Sequence, residues 1–265
     1  MTTASPLLSC RNVSKYFGAM AAVKDFSFDL AAGEVLGIGG PNGAGKTTLF
    51  EVISGLNPAD QGEIQLEGRQ IRDLPPHAIC HLGIVRMFQS NVGFDTLSAS
   101  QNVLIAAAYG GRAQGLIPAL VYDSSIRRTA EEALDFVGYR NSLSAPVRSL
   151  PVLDRKLLMI ASALATKPKI LMMDEPVGGL NPEEIDRLMA LVRKLIAAGI
   201  TIMLIEHVMR FLVQLSTRVM IMHHGEKIYE GTPGGLAQDE TVTRVYLGER
   251  MSKRIAGYSA KAGNQ

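Results

Sequence analysis

The run Gly40, Pro41, Asn42, Gly43, Ala44, Gly45, Lys46, Thr47 and Thr48 combines a freely bending backbone with one cation and two hydroxyls. Glycines at this spacing let the chain curl so that several N–H groups point inward at one phosphate chain. Lys46 can then bridge the β- and γ-phosphates, and Thr47 can offer its hydroxyl to Mg²⁺. A second cluster, Asp174 and Glu175, ends the apolar run 170–173. Buried strands seldom finish on adjacent carboxylates, because desolvating charge is costly. A strand simply meeting solvent accounts for either acid alone. Paired with a phosphate loop upstream, Asp174 can hold Mg²⁺ through water while Glu175 polarises the attacking water. The chemistry is binding of a nucleoside triphosphate and transfer of its terminal phosphoryl group to water.

The elements that must position these residues are legible around them. Residues 34–38 are an apolar run of strand length, and 48–53 continue the loop as a helix whose positive end faces the phosphates. Residues 7–13 and 26–30 alternate apolar and polar side chains, which predicts two half-buried strands in an antiparallel flap. Residues 63–66 and 83–88 are further strand candidates, and 75–81 form a short helix opening on proline. Residues 103–108, 126–137 and 154–165 are helical in composition, with a glycine-rich piece (Gly110, Gly111, Gly115) between the first two. They mark residues 89–166 as a helical lobe inserted into an α/β core. Strand signals return at 170–173, 201–205 and 219–222, alternating with helices at 182–198 and 208–215. That rhythm predicts a mostly parallel sheet with crossover helices.

Bulk properties fit one large α/β domain with a smaller lobe. The chain has 265 residues, 47% of them hydrophobic, and a formal charge of +2. No basic stripe interleaved with aromatics points to nucleic acid. Cys10 and Cys80 are too few for a disulfide framework and fit reduced thiols of a cytoplasmic protein. No apolar segment is long enough to span a membrane. Residues 6–10 faintly resemble a lipoprotein cleavage site, but without the basic and apolar stretches that a signal peptide needs. Residues 251–265, with Lys253, Arg254 and Lys261, predict a flexible basic tail.

Further motifs give the pattern a family. Arg86-Met87-Phe88-Gln89 resembles a Q-loop, Gly178-Gly179-Leu180-Asn181-Pro182 a D-loop, and the strand 201–205 followed by Glu206 and His207 a switch segment. Each is weak alone. In this order around the phosphate loop, the chain resembles the ATP-binding subunits of ABC transporters over nearly its whole length. The resemblance implies a P-loop NTPase (RecA-like) core with an N-terminal antiparallel β-subdomain and an inserted α-helical subdomain, spanning residues 7–250. It implies that Gln89 reaches Mg²⁺ and signals nucleotide occupancy, that His207 touches the γ-phosphate, and that an aromatic side chain near the N-terminus stacks on adenine. Phe17, directly before Gly18, fits that place better than Tyr16. Stacking reads a π-face and gives only modest base preference, and the guanine-reading Asn-Lys-x-Asp motif is absent. Asn181-Pro182, Ile205-Glu206-His207 and Tyr246-Leu247-Gly248-Glu249 are similar to the branched-chain amino acid branch, whose members import leucine-type amino acids, urea or small organic acids. Implied partners are transmembrane permease subunits, a second ATP-binding subunit and, indirectly, a solute-binding protein. The implied location is cytoplasmic, peripheral on the inner face of the membrane. Residues 91–97 are the candidate permease contact. Two rivals stay open: a soluble ABC-type ATPase with a non-transport regulatory role, and a nucleotide-binding module that no longer hydrolyses.

One motif departs from the family. Where the family reads Leu-Ser-Gly-Gly-Gln, or Leu-Ser-Tyr-Gly in this branch, the chain has Leu150-Pro151-Val152-Leu153-Asp154. Proline replaces a serine that would donate to the γ-phosphate and has no N–H of its own. Leu153 replaces a glycine, so its side chain is expected to crowd the phosphate. Subunits of this family sandwich each ATP between one chain's phosphate loop and the other's signature. The expectation is a heterodimer in which a partner's intact signature closes this chain's loop; the alternative is a tolerated variant in a signature that still works.

Overall fold

The computed structural model describes residues 5–87, 93–110, 124–248 and 255. Contacts divide the chain into two compact units, residues 1–75 with 192–265, and residues 76–191.

The first unit opens with β1 (Leu8–Phe17) and β2 (Met20–Leu30), then β3 (Val35–Gly39), α1 (Lys46–Ile53), β4 (Gln61–Leu66) and β5 (Arg69–Gln70). One sheet has the order β2-β1-β4-β5 with every pair antiparallel. This is the flap that the alternating segments predict, with longer strands. Val13, Val23, Phe26, Phe28 and Ile64 are buried in it, while Arg11, Lys24, Asp25 and Glu63 stay outside. The start of β2 lacks clean alternation, which is why only its second half is legible in the sequence. After the second unit the chain returns with β8 (Thr201–Ile205), α7 (Met209–Leu215), β9 (Arg218–His223), β10 (Glu226–Gly231) and a three-residue helix, α8 (Glu240–Val242). β3 pairs in parallel with β8 on one side and β9 on the other. Every residue of β3 and β8 is buried, as expected of parallel strands covered on both faces. β10 adds antiparallel to β9. Its polar, half-exposed sequence carries no strand signal, so the sequence reading missed it.

The second unit contains α2 (Pro76–Leu82), β6 (Ile84–Met87), α3 (Ala99–Tyr109), α4 (Ser124–Phe136), α5 (Val152–Ala165) and β7 (Ile170–Asp174), and α6 (Pro182–Ala197) begins in it. β6 and β7 are parallel neighbours. The helices α3, α4 and α5 pack against one another. α3 starts at a capping box: Ser98 Oγ accepts the Gln101 N–H at 3.2 Å, and Gln101 Oε1 accepts the Ser98 N–H at 2.9 Å. α5 starts at Val152, two residues before the segment predicted from composition. Among the described residues, no helix is long and apolar enough to cross a membrane.

Candidate functional site

In the first unit the phosphate loop joins the buried strand β3 to α1. The loop is shaped by backbone that side chains could not follow. Gly45 has φ +100°, and a Cβ there would lie 2.0 Å from the Ala22 carbonyl oxygen. Gly43, at φ +78°, has nothing within 4 Å of its would-be Cβ and forms the open side of the loop. α1 has no side-chain cap and no acid in its first turn. Its positive end therefore keeps its full field for an anion. Lys46 is buried, and its ammonium donates to the carbonyls of Gly40 at 2.7 Å and Pro41 at 2.9 Å. The cation is thereby folded back over the loop it serves. Thr47 stands exposed on the first turn.

The same unit carries two further sequence-predicted residues. Phe17 ends β1 opposite Met20, across the turn at Gly18. Its ring is 46% exposed, with the Lys15 ammonium 5.6 Å from the centroid. Asp60 anchors this end of the strand, accepting the Tyr16 N–H at 2.7 Å and pairing with Lys15 at 3.2 Å. His207 follows β8 with its side chain 57% exposed. The residue that aims it is Glu206, which is fully buried. Its Oε2 accepts the N–H groups of His207 at 2.8 Å and Val208 at 2.9 Å. Charge-assisted bonds of this kind fix the turn at the start of α7. The sequence reading noted Glu206 only as a family match. The signal that singled out Asp174, an acid closing an apolar strand, was present here too.

In the second unit, β7 is buried throughout and ends on Asp174. Its carboxylate is 2% exposed, and Oδ2 accepts from Arg86 Nη2 at 2.8 Å. Glu175 follows in the left-handed region at φ +47°, a conformation that costs a non-glycine residue roughly 1–2 kcal/mol. The turn thus separates the two carboxylates' environments. Asp174 is sunk in the strand end, and Glu175 is half-buried beyond it.

The signature segment requires a correction. Pro151 caps α5 without any side-chain hydrogen bond, as its chemistry dictates. Leu153, expected to project at a phosphate, is instead 4% exposed. The helical phase turns it into the core with Leu150 and Leu157. The outward residue is Val152, 39% exposed, whose Cγ1 is 3.6 Å from a would-be Gly179 Cβ.

Gln89 lies outside the described residues, as do residues 91 and 92 of the candidate permease contact and all of the tail except Ile255. Among the described residues, no group of three or more His, Cys, Asp or Glu side chains is arranged to hold a metal ion. The Thr47 hydroxyl and Asp174 carboxylate are nevertheless hard oxygen donors. That chemistry suits magnesium accompanying a nucleotide, an ion that keeps much of its own water and needs few protein ligands.

A glycine loop of this shape, between a buried parallel strand and a helix, defines a P-loop nucleotide-binding protein. The ABC transporter family profile matches residues 23–178. Among curated proteins, the chain is 35% identical over 254 residues to the high-affinity branched-chain amino acid transport ATP-binding protein LivG of Escherichia coli K12. That alignment covers 92% of this chain and 98% of the relative. It is 33% identical over 252 residues to BraF of Pseudomonas aeruginosa, a protein of the same description, with the same coverage of both chains. Among solved structures, a nucleotide-free ATP-binding cassette from an ABC transporter superposes with a TM-score of 0.80 at 31% identity, covering 92% of this chain and 100% of that one. A cassette in its ADP conformation gives 0.82 at 30%, covering 93% and 100%. The chain belongs to the ABC transporter family, and its enzymatic class is that of the family's ATPase cassettes.

Proposed function

We propose that this chain is the ATP-hydrolysing subunit of an importer for branched-chain amino acids or a related small solute such as urea or an organic acid. The observation that carries the reading is the uncapped phosphate loop with Lys46 folded over it, in a chain whose curated relatives are described as branched-chain amino acid transport ATP-binding proteins. Residues 7–250 act as the nucleotide-binding domain, 89–166 as its helical part and 251–265 as a basic tail.

In this reading Phe17 stacks on adenine. The N–H groups and side chains of residues 40–48 hold the phosphates, with Lys46 on the β- and γ-oxygens. Thr47, Gln89 and, through water, Asp174 serve magnesium. What a magnesium ion supplies at such a site is neutralisation of charge on the phosphate oxygens. Glu175 orients the attacking water, and His207, presented by Glu206, holds the γ-phosphate. Positioning and electrostatics carry the rate.

The partner assignments follow from two surfaces. Pro151 offers neither hydroxyl nor N–H where a signature serine would donate, which supports a heterodimer with a second ATP-binding subunit whose signature is intact. Within the second unit a groove of about 250 Å³ opens among Val85, Met87, Phe94, Asn102, Ile105 and Met159. Phe94 is 56% exposed beside it, which supports residues 91–97 as the contact with membrane-spanning permease subunits. A solute-binding protein acts through those subunits, and the chain works at the inner face of the membrane.

The test is ATP turnover by the purified chain alone and mixed with candidate partner subunits. The expected result is weak turnover alone and at least a tenfold rise with the partner, abolished by Glu175→Gln in this chain. Strong turnover by the chain alone, with a nucleotide-dependent homodimer, overturns the heterodimer assignment. Unchanged turnover in Glu175→Gln overturns the catalytic one.

A further inference from the structure

The buried ion pair at the end of β7 is not explained by folding. Arg86 and Asp174 have side chains 6% and 2% exposed and meet at 2.8 Å. Burying such a pair removes two charges from water, and well-packed apolar side chains of similar volume often serve stability as well or better. The pair therefore calls for a chemical reason. Its geometry offers one. Arg86 is in register with Met172 on the parallel neighbour β7, so its guanidinium reaches along the strand to the carboxylate that closes it. One arm of the guanidinium, Nη2, donates to Oδ2 and holds that oxygen at the strand end, while Nε and Nη1 are buried without a hydrogen-bond acceptor among the described residues. A guanidinium is suited to this because its donors are rigidly arranged, whereas a lysine ammonium is a point charge on a flexible stem.

We propose that Arg86 is a positioning residue, which through its ion pair orients the Asp174 carboxylate toward the magnesium of bound nucleotide. The inference rests on the role given to Asp174 above and adds to it the group that sets its direction. Counting charge alone predicts the opposite behaviour. A cation next to a carboxylate competes with a second cation, so removing Arg86 would tighten magnesium. Orientation predicts that removing it weakens magnesium. The sign of the change decides.

The experiment uses the full chain with a fluorescent ATP analogue, titrated in EDTA and then with Mg²⁺ at fixed nucleotide, with thermal melting of every variant. In Arg86→Met, nucleotide affinity in EDTA is expected within about twofold of wild type, and the Mg²⁺ midpoint is expected to rise at least fivefold. Arg86→Lys, which keeps charge but loses the rigid planar head that holds Nη2 on Oδ2, is expected to rise two- to threefold. Asp174→Asn is expected to abolish the Mg²⁺ response. An unchanged or lowered midpoint in folded Arg86→Met, with Asp174→Asn still abolishing the response, overturns the positioning role and leaves the function of Asp174 standing. A Mg²⁺ response intact in Asp174→Asn overturns both. If Arg86→Met fails to fold, Arg86→Lys decides, and a wild-type midpoint there overturns the proposal.

Discussion

Alanine at Gly45 and alanine at Gly43 are the same chemical change with different consequences. At Gly43, φ is +78° and nothing lies within 4 Å of the new Cβ. The cost is conformational only, about 1–2 kcal/mol for an L-residue held in left-handed backbone. At Gly45, φ is +100° and the new Cβ would sit 2.0 Å from the Ala22 carbonyl oxygen and 3.2 Å from its carbon. The neighbour is backbone of β2, so no rotamer relieves it. The two backbone segments must part by roughly 1.4 Å to reach ordinary contact, an overpacking that adds about 1–3 kcal/mol. Each kcal/mol shifts the melting midpoint of a domain this size by about 2–4 °C. Gly43→Ala should therefore melt about 2–8 °C below wild type, and Gly45→Ala clearly lower still. Thermal melting and nucleotide titration on the same samples check this. Gly45→Ala should also lose nucleotide affinity beyond the loss in Gly43→Ala, because the displaced residue is the N-cap of α1. Equal midpoints for the two variants, or wild-type affinity in Gly45→Ala, would refute the reasoning.

Three further outcomes follow. Asn102→Leu should cost about 2–3 kcal/mol in denaturant melts, because the amide accepts from the Phe94 N–H at 2.9 Å and donates to the carbonyls of Phe94 and Ser98 at 2.9 and 3.0 Å. Burial raises the thiol pKa of both Cys10 and Cys80, and Cys10 is completely enclosed. Iodoacetamide at pH 8 should therefore modify Cys80 slowly and Cys10 only in denaturant, as read by peptide mass. The Tyr16 N–H, then the Lys15 ammonium, hold the Asp60 carboxyl below the usual range. A lowered carboxylate pKa stabilises the fold above the ordinary aspartate value of about 4 and is lost as pH falls through the native value. The melting difference between wild type and Asp60→Asn should be full at neutral pH and close in acid, and a difference independent of pH would contradict it.

Much of the fold was legible because its signals are local. The parallel strands β3, β7 and β8 are short, continuous apolar runs, and the flap strands alternate. β10 was not legible, since an exposed edge strand buries too little to leave a pattern. At the site, the phosphate loop announces itself through glycines whose left-handed backbone strains other residues and, at Gly45, leaves no room for a Cβ. Asp174 was visible as a charge where desolvation forbids one without a reason. Glu206 carried the same signal at the end of β8, yet its role as the acceptor that presents His207 depends on two backbone N–H groups folding back onto it. Arg86 read as part of a loop motif, because nothing in sequence says which neighbouring strand a side chain will face.

The amino-acid sequence by itself marked Gly40 to Thr48 as a phosphate loop, and Pro151 as a residue that cannot donate where the family's serine does. Both are properties of single residues and their immediate backbone. The tertiary structure alone decided that Leu153 turns into the core while Val152 faces out, and that Arg86 meets Asp174 at 2.8 Å. Helical phase and strand register set those contacts, and both are fixed by packing across the fold rather than by neighbours in the chain.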